Sequence, residues 1–502
     1  MKKLFIISTF CLIMLSSFSQ NLNYAGGTGT LDCPYQIETA TQLKYLMDHP
    51  SGWDSCFVLT NNIDCSSISA KPIGLHPPSG VPFTGKFFGN NYTISNLKLL
   101  MGSTQHVGLF GYIAAGSEVT GVVIYGFEIE ALHSVGALCG NNYGYISNCK
   151  VRGGAVKGRN RTGGLVGNNY SKIYSSSANC VIEGTGIPSE FEDNLCVGGF
   201  VGYNEGSIMA CNSYSEIWAP TSQHVGGFCG FNTDGGEIFH CTSAGDLNCR
   251  QYGGGFCGLN GYVAQPLPTP RSRSDIRDCH SSTLVCVEIS KAGGFVGENN
   301  SHGSIVDCSS SGNAILKPSQ NPNPRIKTAG GFVGETWGNA KTINCIASGR
   351  VSAEDYVGGF VGVRWNNATI TDCSAFGAVH TNLNANHFGE FYGASLDNPT
   401  NQNDISFPQN TNHYHECPKE PINHPAFIDC SRLTYRSATN DSTQNDQIDP
   451  SKETGEDPSC RFNLIAGAST AFGLPDNSSF IIPQLGFDFS FGKFGFRVTE
   501  QF

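Results

Sequence analysis

The sequence is poor in charged residues. Asp, Glu, Lys and Arg make up only 14% of its 502 residues, against about 25% in an average soluble protein. Lys and Arg number 30 against 41 Asp and Glu, the formal net charge is −11, and the basic residues form no cluster. Because phosphate recognition needs concentrated Lys and Arg, this composition argues against a nucleic-acid partner.

Long apolar runs are also missing beyond the N-terminus. Residues 1–20 have the pattern of a secretory signal: Lys2 and Lys3, an apolar run from Leu4 to Leu15, and a small-x-small cleavage site at 17–19. No other segment approaches the ~18 apolar residues of a spanning helix. We therefore expect an exported protein, secreted or at the cell surface, with no transmembrane helix.

Glycine is abundant, and much of it belongs to one short motif, such as Gly198-Gly-Phe-Val-Gly202. The nine copies close at Gly111, Gly140, Gly167, Gly202, Gly230, Gly258, Gly297, Gly334 and Gly362. Their intervals of 29, 27, 35, 28, 28, 39, 37 and 28 residues fit a period near 28 with insertions. A tenth, degenerate copy ends at Gly393. The paired glycines are expected to supply either positive φ or close backbone approach at corners.

A second element, Ile-x-x-Cys, follows most copies of the motif. It ends at Cys149, Cys211, Cys241, Cys279, Cys308 and Cys373. The copy at Cys345 is interpreted as one residue tighter, and Ser177 as the substitute for Cys after Gly167. Short β-rich runs between Gly- and Asn-rich turns, without amphipathic helices, predict a β-solenoid in which each repeat forms one coil.

These segments resemble the GLUG motif, named for its Gly-Leu-hydrophobic-Gly core, and residues 26–89 resemble the opening coils of such proteins. The resemblance covers residues 24–393 and implies an exported bacterial all-β protein, a right-handed parallel β-helix. A Thr-x-x-Gln capping box at Thr39 and Gln42, with Leu43, Leu46 and Met47 on one face, predicts a short helix that caps the first coil.

The resulting organisation has five parts: 1–20 signal peptide, 21–106 N-terminal cap and opening coils, 107–393 GLUG-type repeats, 394–460 Asn- and Pro-rich linker, and 461–502 β-rich tail. In the tail, Phe487, Phe489 and Phe491 alternate as in an outer-membrane strand. A closed single-chain barrel needs at least eight strands, and only about three fit here. The tail is therefore an anchor that needs partners, a small sheet beside the solenoid, or part of a truncated chain. We favour a small β-structure that could associate the protein with an outer membrane.

Removing Cys11 with the signal leaves 20 cysteines in an oxidising compartment, which first suggests a disulfide framework. However, aligned side chains in parallel strands lie about 4.8 Å apart, whereas a disulfide needs Cβ atoms about 3.8 Å apart. We therefore predict a ladder of buried thiols from Cys149 to Cys373. Small apolar packing is expected at Cys139, Cys229 and Cys257. The better disulfide candidates are Cys33, Cys56, Cys65, Cys417, Cys430 and Cys460.

Three fragments resemble polygalacturonases: Asn232-Thr-Asp234, Ser301-His302-Gly303 and Arg325-Ile-Lys327. That chemistry needs paired carboxylates, and the adjacent Asp-Asp pair of the family is absent from this chain. Asn232 is also explained as one of a recurring Gly-x-Asn set. We therefore interpret these likenesses as coincidental.

Metal and acidic sites are weaker candidates. GLUG repeats accompany some immunoglobulin-cleaving proteases, but the His-Glu-x-x-His zinc motif is absent, and His413, His415, Glu416 and Cys417 read as a solvated linker. Asp278, Asp307 and Asp372 each precede a ladder cysteine, so strand alternation is expected to turn them outward. They form either an acidic stripe for cations or glycans, or a solvated face.

The sequence supports no catalytic, cofactor-binding or metal-ligating assignment and implies no cofactor. We expect a secreted or surface-displayed solenoid that binds a glycan or a host or cell-surface protein in the manner of an adhesin. The alternative is a carbohydrate-active β-helix enzyme, a polysaccharide hydrolase or lyase. Fold alone does not decide between them.

Overall fold

The computed structural model describes residues 23–186, 195–261, 272–318, 327–381 except 355 and 366, and 387–396, together with short strands between 413 and 500. The chain forms a right-handed parallel β-helix. Successive coils place equivalent strands in parallel register, for example Ile208 beside Ile238 and Ile238 beside Ile276. Three parallel sheets, here named A, B and C, form the walls of the coil stack.

Sheets A and C each receive one strand per coil. The strands of sheet A are Tyr35–Ile37, Cys56–Leu59, Lys86–Phe88, Glu118–Thr120, Tyr145–Ser147, Lys172–Tyr174, Ser207–Met209, Glu237–Phe239, Ser274–Arg277, Gly303–Val306, Lys341–Ile343 and Thr369–Thr371. The strands of sheet C are Phe110–Ile113, Cys139–Asn142, Val166–Asn169, Val201–Asn204, Cys229–Asn232, Cys257–Asn260, Val296–Asn299, Val333–Thr336, Val361–Trp365 and Tyr392–Leu396.

Sheet B joins the other two and is broken by corners into several short strands per coil. Its strands are Ile63–Asp64, Thr93–Ser95, Lys98–Val107, Val123–Tyr125, Glu128–Val135, Lys150–Gly163, Ser177–Gly184, Cys196–Gly198, Asn212–Ser213, Glu216–Ala219, His224–Gly226, Thr242–Ser243, Asp246–Cys249, Tyr252–Gly254, His280–Ser281, Leu284–Val287, Lys291–Gly293, Ser309–Ser310, Ala314–Leu316, Thr328–Gly330, Ile346–Ala347, Val351–Ser352, Val357–Gly358, Ser374–Ala375, Val379–Thr381, Phe388–Gly389, His413–Tyr414 and Glu420–Pro421.

The interior is filled by columns of like side chains, one from each coil. The motif phenylalanines stack with ring centroids 4.7–4.9 Å apart and interplanar angles of 4–9°. They are Phe200, Phe228, Phe256, Phe295, Phe332, Phe360 and Phe391. The centroid spacing equals the strand spacing of a sheet, so each ring covers the one below it and water is excluded along the column.

The paired glycines sit where the chain passes from sheet B to sheet C. A Cβ at Gly226 would overlap the carbonyl oxygen of Cys229, and a Cβ at Gly227 would overlap that of Gly255 in the next coil. Among the described residues, the motif pairs have no positive φ. Close backbone approach, one of the two expected reasons, is therefore what requires glycine here.

The predicted N-terminal helix is confirmed at Ala40–Asp48. The Thr39 side chain accepts from the backbone N–H of Gln42, whose Oε1 accepts from that of Thr39, and Leu43, Leu46 and Met47 are buried. Short 3₁₀ turns follow at Pro50–Gly52 and Cys65–Ser67. The helix places its apolar face against the core cluster that begins at Tyr24.

Two details of the predicted repeat are wrong. The residue in the cysteine slot after Gly167 is Ser176, not Ser177: its N–H donates to Sγ of Cys211 at 3.4 Å. The copy at Cys345 is not shortened, because Thr342 pairs with Ile305 and Ile370 and so fills the isoleucine slot at the usual spacing.

The chain divides into two compact units, 1–438 and 439–502. In the second unit, strands Ser479–Ile482, Phe487–Gly492 and Gly495–Glu500 form an antiparallel sheet, which is the small β-structure expected of the tail. Residues 1–20 and most of 394–460 lie outside the described residues.

Candidate functional site

Asn232 belongs to a continuous ladder of fully buried amides. Its Nδ2 donates to Oδ1 of Asn260 at 2.9 Å, and its Oδ1 accepts from Nδ2 of Asn204 at 2.8 Å. The ladder comprises Asn142, Asn169, Asn204, Asn232, Asn260 and Asn299. The interpretation of Asn232 as a recurring structural asparagine is confirmed.

The other polygalacturonase-like residues do not converge with Asn232. Asp234 and His302 lie in turns two coils apart, with φ of 49° and 67°. Nζ of Lys327 donates to the carbonyl oxygen of Lys317 at 2.9 Å. Arg325, His415, Glu416 and Cys417 lie outside the described residues, as does the side chain of His413.

Asp278, Asp307 and Asp372 face solvent, but strand alternation is not the reason. Each has φ of 54° and sits at the corner between sheets A and B. Oδ2 of Asp278 lies 3.0 Å from Nδ1 of His240, and Oδ1 of Asp307 accepts from Nδ2 of Asn344 at 2.6 Å. Since Asn344 occupies the coil between Asp307 and Asp372, the column is mixed rather than an acidic stripe.

The thiol ladder is confirmed in the described coils. The N–H groups of Cys211, Cys241 and Cys279 each donate to Sγ of the ladder cysteine in the next coil at 3.4 Å. All ladder cysteines from Cys149 to Cys373 are buried and free. Burial raises the pKa of the Cys149 thiol to about 12. At Cys308 burial also opposes ionisation, but hydrogen bonds with the Cys279 and Cys345 thiols outweigh it and lower the pKa. Because every ladder thiol is buried, none is presented to solvent.

Disulfides at the N-terminal end are not formed, which overturns that prediction. Cys33, Cys56 and Cys65 are all free. Cys65 is 2% exposed in the core, whereas Cys33 lies in an exposed turn, so the two face different environments. Cys286 is disulfide-bonded, although no spacing signal distinguished it. Cys417, Cys430 and Cys460 lie outside the described residues.

The richest set of polar and aromatic side chains lies on the side of sheet C away from the core, together with the residues that directly follow its strands and those of sheet B beside the adjoining corner. We name this surface the sheet C face. Along sheet C the position that points away from the core is taken by Tyr112, Asn141, Asn168, Tyr203, Phe231, Leu259, Glu298, Glu335, Val363 and Ala394. Of these, Tyr112 and Glu335 are partly exposed, and the other eight are buried by neighbouring groups. The identity of this position changes from coil to coil, unlike the uniform interior.

An aromatic row crosses the first coils of the sheet C face. Tyr112 stacks on Tyr143 with centroids 5.1 Å apart, and Tyr143 stacks on Tyr170 at 4.5 Å. All three rings are partly exposed. His106 stacks on His76 at 4.4 Å beside the row. Burial and the neighbouring His76 lower the pKa of His106 to about 4, so this imidazole is neutral at physiological pH.

Arg161 ends this row. Its guanidinium lies 4.4 Å from the centroid of the Tyr203 ring, and Nη1 donates to the Tyr170 hydroxyl at 3.4 Å. The Tyr203 hydroxyl in turn donates to Oε1 of Glu205 at 2.5 Å. A cation over an aromatic face is an attractive arrangement. The row therefore finishes in a fixed cation next to a carboxylate.

Further along the face, Lys291 joins two carboxylates. Its Nζ lies 2.7 Å from Oε2 of Glu298 and 3.0 Å from Oε1 of Glu335. Burial would raise the pKa of Glu298, but Lys291 outweighs it and the pKa is lowered, whereas burial raises the pKa of Glu335. Nε1 of Trp337 also donates to Glu298 at 2.7 Å. The charges are thus largely compensated within the cluster.

One coil of the sheet C face matches the model of a known protein family. Residues 221–248, which run through strands of all three sheets, match the family model described as the GLUG motif. The chain carries the GLUG motif. The chain also resembles halomucin of Haloquadratum walsbyi, with 33% identity over 134 residues, which is 26% of this chain and 1% of halomucin.

A second relative is a candidate Gly-rich membrane protein of Evansella cellulosilytica, 34% identical over 137 residues, 26% of this chain and 15% of that protein. The chain thus spans a small part of both curated relatives. A solved structure, of a candidate immunoglobulin A1 protease from Bacteroides ovatus, covers 80% of this chain and 88% of that one at 16% identity and a TM-score of 0.28. So low a score carries no argument about activity.

The sequence did not single out the functional candidates of the GLUG coils. Tyr143 and Tyr170 each follow a ladder asparagine, and Arg161 precedes a motif glycine by two residues. Aligning the copies on Gly-x-Asn would have put these variable positions in register. The contact between Lys291 and Glu335 joins different coils, and only the fold could show it. In the described part of the chain, no helix has the length and apolarity to cross a membrane.

Proposed function

We propose that this protein is a secreted or cell-surface scaffold that binds glycans in an adhesin-like manner through its sheet C face. The stacked row of Tyr112, Tyr143 and Tyr170, ending in Arg161, carries the proposal. A location outside the cell agrees with the signal-like residues 1–20 and with the membrane-protein description of one relative.

The aromatic row suits a sugar for physical reasons. Tyrosine offers rigid, amphipathic contact area at low conformational-entropy cost. Because these rings stack face to face, a sugar would meet their exposed edges and hydroxyl groups. Fixed polar groups beside an apolar surface then set the orientation of a ligand. Arg161 and Glu205 supply a donor and an acceptor that can meet sugar hydroxyls. Both groups are held by the tyrosines themselves, so little ordering is required on binding.

A glycan array probed with the full chain tests this proposal. We expect binding that falls at least tenfold in Tyr143→Ala and in Tyr170→Ala, because each removes a ring from the row. Tyr214→Ala is the matched control, since Tyr214 is 50% exposed and lies outside the sheet C face. Binding unchanged in both row variants, or binding only to host-protein spots on the same array, would contradict a glycan site in this row.

A carbohydrate-active enzyme is the second candidate, because Glu298 and Glu335 have pKa values displaced in opposite directions. Such divergence is how one carboxyl becomes an acid and another a base. Release of reducing ends from a polysaccharide by the full chain, abolished in Glu335→Gln, would support the enzyme. The compensation by Lys291 favours a structural role for the pair, and we then expect no turnover.

A further inference from the structure

The outer surface of sheet A carries an apolar column that the protein leaves in contact with water. Tyr174 is 44% exposed and Met209 is 39% exposed, and Phe239 continues the column in the next coil. Parallel sheets are normally covered on both faces, and a contiguous exposed apolar surface usually marks an interaction site. This surface, here named the sheet A stripe, is distinct from the sheet C face.

Charged residues accompany the stripe in register. Two residues before each aromatic side chain, on the same side of its strand, lies a charged residue: Lys172 before Tyr174 and Glu237 before Phe239. Ser207 holds the equivalent position in the coil between these two. Both charged side chains are exposed. Among the described residues, neither forms an ion pair, whereas Lys86 at the end of the same column is paired with Glu118 at 3.0 Å. The stripe therefore has an apolar centre flanked by one available charge of each sign. A further exposed lysine without an ion pair among the described residues, Lys341, lies three coils beyond Glu237 in the same column.

We propose that the sheet A stripe is the contact surface for a second copy of this chain, packed face to face with the coil axes antiparallel. If the two-fold axis runs parallel to the strands, each column of side chains faces the same column of the second copy. The coils of the second copy then run in the opposite order. An interface of this kind is isologous, so a surface must complement itself. The chemistry of the stripe meets that condition.

Placing the axis at Met209 gives the complementary arrangement. Met209 then meets Met209 of the second copy, Tyr174 meets Phe239, and Lys172 meets Glu237, the last two contacts each occurring twice. Near the ends, Thr120 lies opposite Val306 and Phe88 opposite Ile343, according to the pairing of the strands. Lys341 faces Lys86, whose charge is already compensated by Glu118.

Neighbouring registers are worse. If one copy is shifted by two coils relative to the other, the two-fold axis moves one coil, to Phe239. Glu237 then faces Glu237 of the second copy. Shifting one copy by a single coil leaves Glu237 opposite Ser207 and directs Lys172 to Asp275, which is already bound by Arg273 at 3.2 Å and Arg277 at 3.1 Å. Charge complementarity fixes register and suppresses alternatives. The available charges therefore select the arrangement centred on Met209.

Sedimentation velocity on the full chain over a concentration series tests the proposal. We expect a dimer whose dissociation constant rises at least tenfold in Lys172→Glu and in Glu237→Lys, because each variant brings two pairs of like charges together. An equimolar mixture of the two variants should regain the dimer as a heterodimer, since the introduced charges then meet opposite charges. Recovery on mixing also shows that both variants are folded.

Lys150→Glu is the matched control, because Lys150 is exposed on sheet B, and it should dimerise as the unsubstituted chain does. Three results would overturn the proposal: an unsubstituted chain that stays monomeric throughout the series, single variants that dimerise normally, or variants that fail to associate when mixed. Loss of glycan binding alone would leave the dimer unaffected, since the two surfaces share no residue.

Discussion

Asn232 shows how single residues hold adjacent coils together. A buried amide is costly unless its donors and acceptor are all satisfied. Here one N–H of each ladder asparagine before Asn299 donates to the side-chain oxygen of the next, and Nδ2 of Asn232 also donates to the backbone oxygen of Gly236 at 3.1 Å. The ladder is therefore a polar column without unmet groups at this position, and it fixes the register of one coil on another.

Replacing Asn232 by Ala should lower the free energy of unfolding by about 2–4 kcal/mol, because the amide groups of Asn204 and Asn260 each lose a partner while buried. Asn179→Ala is the control, since Asn179 is exposed, and its effect should stay within about 0.5 kcal/mol. Urea denaturation followed by circular dichroism measures both changes. Equal effects in the two variants would mean that the ladder is not the source of stability.

The sequence predicted the role of a residue correctly where successive coils carry similar side chains at the equivalent position. The valine slot that Cys139, Cys229 and Cys257 share is confirmed, since Cys229 pairs with Val201 and Cys257 with Val296. Prediction failed at Ser176 and Thr342, where the repeated side chain is replaced and only the register of the strands identifies the slot.

The phenylalanine column is the clearest element of the core. Phe256 is fully buried between Phe228 and Phe295, with centroid separations of 4.9 Å on both sides. In earlier coils the same slot holds Leu138 and Leu165, whose backbone groups continue the corner hydrogen bonds. The slot therefore accepts either side chain, but it needs a large apolar group in every coil.

Phe256→Ala should cost about 3–5 kcal/mol, because it removes two ring contacts and leaves a cavity in a continuous column. Phe256→Leu should cost clearly less, since leucine already occupies this slot in the chain. Thermal unfolding of both variants, compared with the unsubstituted protein, gives the ordering. If leucine is as damaging as alanine, the column depends on ring stacking and not on volume.

At the scale of the whole molecule, free thiols distinguish this solenoid from a disulfide-stapled one. Sixteen described cysteines are free, and all but Cys33 and Cys56 are buried. Burial raises the pKa of the Cys180 thiol to about 12, and the thiolate is the form that reacts. Stability thus comes from the stacked core, with cysteine acting as a small apolar residue.

Thiol titration of the exported protein without reductant is expected to show this directly. Among the described cysteines of the folded protein, only the exposed Cys33 and the partly exposed Cys56 should react rapidly. After denaturation the count should rise to at least the 16 free cysteines of the described chain. A count near zero after denaturation would mean that the cysteines are joined in disulfides and would refute the ladder.

The repeated motif predicted the coil, its period and the buried thiols, because in a solenoid each coil contacts mainly its neighbours and local pattern is nearly sufficient. The capping box at Thr39 and Gln42 predicted the N-terminal helix. Tertiary structure decided what faces outward. Tyr143 and Tyr170, Lys291 and Glu335, and Lys172 and Glu237 belong to different coils, and their sequence separation varies with the insertions. Only stacking in register brings such positions together, so the two proposed binding surfaces could not be read from the sequence alone.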